Sequence, residues 1–397
     1  MNKILKLMAA AAVLLAGCFS KPAQDTEAAE EAEPGKVFGM WFSYIEYRDY
    51  CAGMSEEEFA AYAEKAAADM ADLGINTVYV HAIAFTDAFY DSDIYPRSSV
   101  LGDTAYDPLK IWVEKAHAKN MHIEAWINPM RSVSVSEAEY LPDSFVIRQW
   151  IRQNDERVRQ VEGRYYLNPA YPETRDLIVS AVEEILNKYD VDGIHMDDYF
   201  YPYGTDRRFD AYIYGKAQEE NAELTLKEFR TENVNQLVAQ LYKAVKAKNS
   251  RLLYGISPAG NMENNLEQLY ADPYAWAQQG TVDYIEPQIY WGYEHPVKPY
   301  TETLREWMKV TEGTKVRMIP GLAGYKVGLP DYYAAGTASQ EWVENSDLLG
   351  RQIRTSLDEG ADGAVIFSYS SLFHPTEDTR KNVENEIIHI KDVLSSE

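Results

Sequence analysis

The sequence predicts a (β/α)8 barrel, and two patterns support this fold class. Eight apolar runs rich in β-branched and aromatic residues alternate with stretches of helical periodicity along the chain. Strands that alternate with helices in this way form parallel sheets, and eight such units make a closed barrel. An open doubly wound sheet is the alternative, but no run is followed by G-x-G-x-x-G or G-x-x-x-x-G-K-[ST].

The eight predicted strands are mostly bounded by Gly, Asp or Pro, residues that end regular structure. They cover residues 37–44, 76–85, 122–129, 192–199, 252–258, 282–291, 316–325 and 362–369.

The predicted helices carry start and stop signals at their ends. Ser55 with Glu58 forms a capping box, and Gly74 is a stop signal for the same helix. The next helix begins with Asp107 as its cap and Pro108 at its first position. Similar starts and apolar stripes predict helices at 172–189, 225–249 and 346–360.

The N-terminus has the pattern of a secretory signal, here residues 1–17. Lys3 and Lys6 precede a short apolar region over 7–15, which is too brief to span a bilayer. The following "LAGC" resembles a bacterial lipobox, which implies cleavage before Cys18 and lipidation of its thiol. An ordinary secretory signal with a chance cysteine is the alternative.

Residues 18–36 form the lipidated cysteine and an acidic, Ala- and Pro-rich tether that we predict to be disordered. The catalytic barrel is then expected over 37–397. Cys51 is the second of only two cysteines, so no intrachain disulfide is expected once Cys18 is acylated.

The formal charge of −25 excludes binding to nucleic acid or to anionic lipid through a basic surface. The expected membrane link is therefore the lipid at Cys18, at the bacterial cell envelope and facing the periplasm or the exterior. Neutral glycans and peptides remain possible ligands.

In the run "DGIHMDDY" two adjacent aspartates follow the apolar residues, at the strand end where barrels of this type place their active sites. Side chains alternate along a strand, so apolar Ile194 and Met196 should face the helices. His195, Asp197 and Tyr199 should then face the barrel axis.

The same alternation places further polar side chains inside the barrel mouth. Glu124, Trp126 and Asn128 share one face of the third strand, and Glu286, Gln288 and Tyr290 share one face of the sixth. Additional candidates from the first two strands are His81 and either Trp41 or Ser43.

A ring of carboxylates, amides and aromatic rings suits cleavage of a glycosidic bond, which needs two carboxyl groups near the anomeric carbon. Asp197 is the predicted nucleophile or base, with Asp198 beside it, and Glu286 is the predicted acid with a pKa raised by burial. His195 would orient an aspartate or the substrate.

The predicted sugar contacts are aromatic faces (Trp126, Tyr199, Tyr201, Tyr290, Trp291) and polar groups (Asn128, Arg131, Gln288, Asn261). Each carboxylate could instead be a paired structural group, Glu124 among them.

Five motifs carry a family resemblance: "GINTVYVHAIAFTDAFYDSDIYP", "HIEAWINPMR", "DGIHMDDYFYP", "YGISPAGN" and "DYIEPQIYW". In order and content they resemble the glycosyl-hydrolase-like family 10 of bacterial secreted and lipoprotein hydrolases, from about Val37 to about Ser371. The resemblance implies a (β/α)8 barrel that acts on a cell-wall or other extracellular polysaccharide, with peptidoglycan glycan strands favoured.

The family motifs map onto this chain residue by residue. The motif ending the fourth strand falls on Asp197 and Asp198, Asn-Pro-x-Arg falls on residues 128–131, and Pro-Gln-x-Tyr-Trp falls on residues 287–291. The family often has an apolar residue in place of Glu286 and a different polar residue in place of His81. Other candidates for the catalytic acid are therefore Glu263, Glu294 and Asp331.

Two other functions stay open at this point. A metal-dependent polysaccharide deacetylase could use His81, His195, Asp197 and Asp198 as zinc ligands, although no H-E-x-x-H or Cys cluster occurs. A glycan-binding lipoprotein without catalysis is the other. A Ser hydrolase is not expected, since G-x-S-x-G is missing.

For the hydrolase we expect no cofactor, no metal and a monomer. Two long connections, 130–172 and 200–224, should shape a cleft for an extended chain.

Overall fold

The computed structural model describes residues 35–396, and residues 36–397 form one compact unit. The predicted signal and lipidation site at Cys18 lie outside the described residues. Eight parallel strands line the centre of this unit: β1 (Val37–Phe42), β2 (Thr77–Ile83), β3 (His122–Ile127), β4 (Gly193–Met196), β5 (Leu253–Ile256), β6 (Tyr284–Ile285), β7 (Arg317–Met318 and Gly321–Ala323) and β8 (Gly363–Phe367).

The sheet closes on itself through β7, which confirms the predicted barrel. One part of β7 pairs with β6 and the other with β8, and the order between them is β6, β5, β4, β3, β2, β1, β8. Past Ile285 the contact continues, since Ile289 N donates to Gly321 O at 3.0 Å. Pro287 and Pro320 lack the N–H that a regular ladder needs, which explains why β6 and β7 are shorter or split compared with the predicted runs.

A helix follows each strand and packs outside the barrel. The eight are α1 (Glu56–Leu73), α2 (Pro108–Ala118), α3 (Pro172–Lys188), α4 (Leu226–Lys248), α5 (Pro273–Gln279), α6 (Tyr300–Thr311), α7 (Leu348–Asp358) and α8 (Arg380–Leu394). Further helices lie in the connections: Tyr44–Glu46, Val146–Arg152, Ala211–Glu220, Met262–Asn264, Glu341–Glu344 and Tyr369–Phe373. None of the helices in the described part of the chain is long and apolar enough to cross a membrane.

The capping signals act as the sequence predicts. Ser55 accepts from the backbone of Glu58 while the Glu58 side chain returns to Ser55, and Gly74 ends α1 in the left-handed region at φ 97°. The Asp107 side chain caps α2 at the backbone of Lys110. These contacts satisfy backbone groups that a helix end leaves without partners.

The lower part of the barrel interior combines glycines with large rings. A Cβ on Gly255 would lie 2.0 Å from ring atoms of Tyr284, and one on Gly193 would lie 2.8 Å from the carboxyl carbon of Glu124. Strand glycines therefore make the room that the Tyr284 and Glu124 side chains occupy across the barrel axis.

The two long connections carry structure of their own. The first contains a three-stranded antiparallel sheet, with Arg164–Leu167 between Arg131–Ser134 and Val158–Val161. The second is fixed by a buried ion pair, in which Arg230 of α4 bonds both carboxyl oxygens of Asp210 at 2.9 Å. Arg230 also donates to the backbone carbonyls of Thr205 and Asp206, so it holds the loop that follows the two aspartates.

Candidate functional site

A cavity of about 230 Å³ opens at the carboxyl ends of the strands, and each of the eight strands, or the segment that follows it, contributes to the lining. Its lining consists of Trp41, Ser43, Tyr44, Ile45, His81, Trp126, Asp197, Asp198, Tyr199, Ser257, Gln288, Tyr290, Tyr325 and Phe367. A larger depression of about 560 Å³ lies between residues 151–165 and 204–209. We place the site in the smaller cavity because it collects the strand ends, as active sites of this fold do.

Asp197 and Asp198 lie together in this cavity, as the sequence predicts. Oδ1 of Asp197 accepts from the backbone N–H of Asp198 at 2.8 Å and from Nε2 of Gln288 at 2.9 Å. Asp197 is only 6% exposed, while Asp198 is half-buried. Ile194 and Met196 pack in the outer core, so the predicted alternation along β4 is confirmed.

Burial and proximity shift the pKa values of the two aspartates to different extents. Burial raises the pKa of both carboxyl groups, and the neighbouring Asp197 charge raises the pKa of Asp198 further. The hydrogen bonds from Asp198 N–H and Gln288 stabilise the ionised form of Asp197 and oppose the rise of its pKa. The pKa of Asp198 is therefore raised further than that of Asp197, so Asp198 is the carboxyl group of the pair that keeps its proton to higher pH.

Arg131 lies beside the pair and between two rings. Its guanidinium group is 4.2 Å from the ring centroid of Tyr199 and 4.6 Å from that of Phe85. Its charge lowers the pKa of both aspartates against the effect of burial. Cation–π contacts with the two rings therefore hold the Arg131 guanidinium group next to the cavity.

His81 and Trp126 form one wall. Their rings stack at a centroid distance of 3.5 Å, and Nδ1 of His81 accepts from the backbone of Tyr44 at 3.0 Å. Burial lowers the pKa of His81 well below its usual value, so the ring is neutral. Asn128 adjoins His81 behind this wall and donates to Ala84 O at 3.3 Å.

His195 lies beneath the cavity and holds Trp41. The indole N–H of Trp41 donates to Nε2 of His195 at 3.0 Å, so this nitrogen carries no proton. Nδ1 of His195 is 3.0 Å from the Tyr284 hydroxyl. Burial lowers the pKa of His195 to about 3, which keeps the ring neutral. The side chain therefore orients a cavity wall.

Glu286 and Glu124 face the barrel axis as predicted, but they lie one layer below the cavity and do not line it. Glu286 is fully buried, accepts from the Tyr79 hydroxyl, and places Oε2 3.7 Å from Nδ1 of His195. Burial raises the pKa of Glu286 well above its usual range. Glu124 accepts from Tyr284 at 2.6 Å and lies 2.9 Å from Nε2 of His122.

Three other sequence candidates also lie away from the cavity lining. Tyr201 is fully buried and packs against Phe209 and Tyr270. Asn261 caps the short helix that begins at Met262. Trp291 follows the cavity residue Tyr290, and its backbone carbonyl accepts from Gln352.

Sequence reasoning missed Tyr44, Ile45, Ser257, Tyr325 and Phe367 as lining residues. Tyr325 and Phe367 stand at the ends of the seventh and eighth predicted strands, so the rule applied to β4 could have found them. Ser43 was one of two options and joins Trp41 in the lining. Its hydroxyl donates to buried Glu46 at 2.5 Å, a carboxylate that also accepts from Ser368 and Ser370 of the β8 loop.

A second groove of about 520 Å³ adjoins the cavity through Phe85, which packs on Tyr44 at 4.8 Å between centroids. It is lined by Phe85, Asp87, Pro96, Arg97, Ser99, Val100, Val133, Glu137, Tyr140, Leu141 and Pro142. Five of the eleven lining residues come from the connection that follows β3, and one of them, Tyr140, is 87% exposed. This wall is where the sequence predicted a cleft.

Between residues 35 and 396, no group of three or more His, Cys, Asp and Glu side chains converges as a metal site would. His195, one of the four ligands considered for a deacetylase, has both ring nitrogens engaged by Trp41 and Tyr284.

The chain matches known proteins over most of its length. Residues 36–339 match the model of the family described as Glycosyl hydrolase-like 10. The chain is similar to glycosyl hydrolase YngK of Bacillus subtilis, with 32% identity over 342 residues, covering 81% of this chain and 65% of that protein. It is also similar to glycosyl hydrolase DigH of Escherichia coli O6:H1, with 30% identity over 426 residues and 93% of each chain covered.

The fold has solved counterparts at low sequence identity. The glycoside hydrolase domain of PgaB (BpsB) from Bordetella bronchiseptica superposes with a TM-score of 0.57 at 13% identity, over 88% of this chain and 98% of that one. This likeness concerns the barrel fold, whereas the family match rests on sequence. The chain belongs to the glycosyl hydrolase-like 10 family.

Proposed function

We propose that this protein hydrolyses glycosidic bonds in an extracellular or cell-envelope polysaccharide, with peptidoglycan glycan strands as the favoured substrate. The observation that carries the proposal is the aspartate pair in a cavity walled by aromatic rings at the carboxyl end of the barrel. Family membership supports the same reaction class.

Asp198 is the proton donor in this proposal. Its raised pKa keeps it protonated, and it is the more exposed of the two carboxyl groups, so it can protonate the leaving oxygen. Asp197 stays ionised and stabilises the positive charge that develops in the sugar. Glu286 takes no part, because its carboxyl group is enclosed between Tyr79 and His195.

The walls of the site suit a glycan. Trp41, Trp126, Tyr290 and Phe367 offer apolar ring faces, and Gln288 and Ser257 offer polar groups. Arg131 beside the cavity and Arg97 in the groove place positive charge on a chain whose formal charge is −25. Either guanidinium group can bind a single carboxylate group of a glycan, such as those that peptidoglycan strands carry.

The test is incubation of the purified mature protein with peptidoglycan glycan strands and a panel of other polysaccharides, with products identified by mass spectrometry. We expect new reducing ends from the glycan strands. Asp197→Asn and Asp198→Asn should each lower the rate about 10²- to 10⁴-fold. Asp72→Asn, on the exposed face of α1, is the matched control and should cleave like the wild type.

Other results would point elsewhere. Release of acetate that stops with a chelator would favour the deacetylase, and tight glycan binding without cleavage, unaffected by Asp197→Asn, would favour a binding lipoprotein. Wild-type cleavage by both aspartate variants would refute the site.

We further propose that the mature protein is anchored at the bacterial cell envelope by a lipid on Cys18 and acts as a monomer. The sequence "LAGC" supports this anchor. In a membrane fractionation experiment, Cys18→Ser should move the protein from the membrane to the soluble fraction. Wild-type protein that is found in the soluble fraction would contradict the anchor.

A further inference from the structure

The carboxylates that line the cavity, among residues 35–396, are Asp197 and Asp198. They are neighbours in sequence, their carboxyl groups interact directly, and the backbone N–H of one bonds the other. Two carboxyl groups that flank an anomeric carbon stand about 5 Å or more apart, with the sugar between them. A pair in mutual contact approaches the sugar from one side and supplies no separate nucleophile on the other.

The carboxylates near the cavity, Glu286, Glu124, Glu46 and Asp331, are engaged elsewhere, and Asp331 forms an ion pair with Lys326 at 2.7 Å. Glu286 and Glu124 are enclosed in the layer below. Glu46 lies next to the cavity residue Ser43, but it is fully buried, and its oxygens accept from Ser43, Ser368 and Ser370. A carboxylate bonded in this way is neither free nor exposed for attack on a sugar.

We propose that the nucleophile is the carbonyl oxygen of a 2-acetamido group on the substrate, so that the protein cleaves next to a 2-acetamido-2-deoxy sugar. Asp197 accepts the acetamido N–H and Asp198 protonates the leaving oxygen. This inference rests on the proposed function and adds to it the identity of the nucleophile.

The arrangement of Asp197 fits an orienting carboxylate. Gln288 and the backbone of Asp198 both bond Oδ1, which fixes the carboxyl plane. Ionised Asp197 is a strong acceptor for an amide N–H, and this bond strengthens as the nitrogen becomes positive. Apolar rings of Trp41, Trp126 and Phe367 line the same cavity and can hold the acetyl methyl group.

Tyr290 supplies a donor on the same wall. Burial and the charges of Asp197 and Asp198 raise the pKa of Tyr290 well above its usual value, so the phenol keeps its proton. Its hydroxyl can donate to the acetamido oxygen and fix the direction of attack.

The bonds and protons balance over two steps. The acetamido oxygen forms a bond to C1, the bond from C1 to the leaving oxygen breaks, and the proton of Asp198 passes to that oxygen. The resulting oxazolinium ring keeps its N–H proton in the bond to Asp197. Water then attacks C1 and gives a proton to Asp198, and the ring C–O bond breaks to restore the acetamide. Two displacements give retention at C1.

The experiment uses wild-type protein and one glycan prepared with three N-acyl groups: acetyl, monofluoroacetyl and trifluoroacetyl. Fluorine withdraws electrons from the carbonyl oxygen, so we expect the cleavage rate to fall stepwise along this series. Proton NMR of the first product should show retention at the new reducing end. A cyclic thiazoline analogue of the acetamido sugar should inhibit the wild type competitively and bind Asp197→Asn more weakly.

The outcomes separate this inference from the function beneath it. Equal cleavage rates for all three acyl groups, or inversion at C1, would show that the acetamido group is not the nucleophile. Either result would still be consistent with a glycoside hydrolase. Failure to cleave any glycan would overturn both. Asp198→Asn adds a further check, since a substrate with a good leaving group should restore its rate but not that of Asp197→Asn.

Discussion

The cavity at the barrel mouth and the layer directly below it contain the same kinds of residue but differ in what they can do. Each holds two carboxyl groups with aromatic rings and a histidine. In the lower layer Tyr79 and Tyr284 donate to Glu286 and Glu124 and close them off. In the cavity Asp197 and Asp198 are partnered from one side and reach the open space. Depth along the barrel axis, and not the strand face, separates an enclosed carboxyl group from one that is open to the cavity.

The largest effect is expected for the pH dependence of the cleavage rate, which tests the two carboxyl groups of the cavity. In the proposed mechanism the reaction needs ionised Asp197 and protonated Asp198, so the rate should fall at low pH as Asp197 gains a proton and at high pH as Asp198 loses one. Because burial raises the pKa of both groups, the acidic and the alkaline inflection of the rate profile should both lie above the usual pKa range of a carboxyl group. Rates measured across pH should show this bell shape, and Asp198→Asn should lack the alkaline limb. A wild-type profile without an alkaline limb would contradict the assignment of the acid.

The second prediction concerns the hydrogen bonds of the lower layer. Glu124→Leu leaves the buried Tyr284 hydroxyl without its acceptor and should lower the free energy of unfolding by about 3 kcal/mol. Urea denaturation measures the loss. Glu124→Gln keeps an oxygen acceptor and should cost less. Equal losses for the two variants would mean that the hydrogen bond is not what stabilises this layer.

A third prediction concerns the room that the lower layer needs. Gly255→Ala places a methyl group 2.0 Å from the Tyr284 ring, which should destabilise the fold by about 1–3 kcal/mol. Gly215→Ala, on an exposed helical turn with open space at its Cβ position, is the matched control and should be neutral or slightly stabilising. Thermal unfolding of the two variants measures the difference.

The smallest effect is expected for Glu286→Gln. The amide matches the shape of a neutral carboxylic acid and still accepts from Tyr79, so stability and cleavage rate should stay close to those of the wild type. Kinetics on glycan strands and urea denaturation are the readouts. A rate loss as large as that of Asp198→Asn would return Glu286 to the catalytic machinery and remove the distinction between the layers.

Much of the fold could be predicted because its signals are local. The capping box at Ser55, the left-handed Gly74 and the Asp107 cap each depend on a few adjacent residues, and the structure confirms all three. The alternation of β4 also predicts correctly that His195 and Asp197 turn inward. Strand limits were less predictable, because Pro287 and Pro320 interrupt hydrogen bonding in β6 and β7.

The site was predictable only in part. Strand-end position brought Trp41, Trp126, Asp197, Gln288 and Tyr290 together correctly. Alternation along a strand could not distinguish Glu286 from a residue that lines the cavity. Alternation shows which face of a strand a side chain is on, but not how deep along the barrel axis that side chain lies relative to the neighbouring strands. That depth depends on the stagger of strands around the barrel.

The sequence by itself determined that eight strand–helix units would form a barrel and that an aspartate pair would stand at one end of it, because periodicity, capping and alternation are properties of neighbouring residues. The tertiary structure alone decided which inward-facing carboxylates remain open. Tyr79 and Tyr284 come from strands far away in sequence, and only closure of the barrel brings their hydroxyl groups onto Glu286 and Glu124.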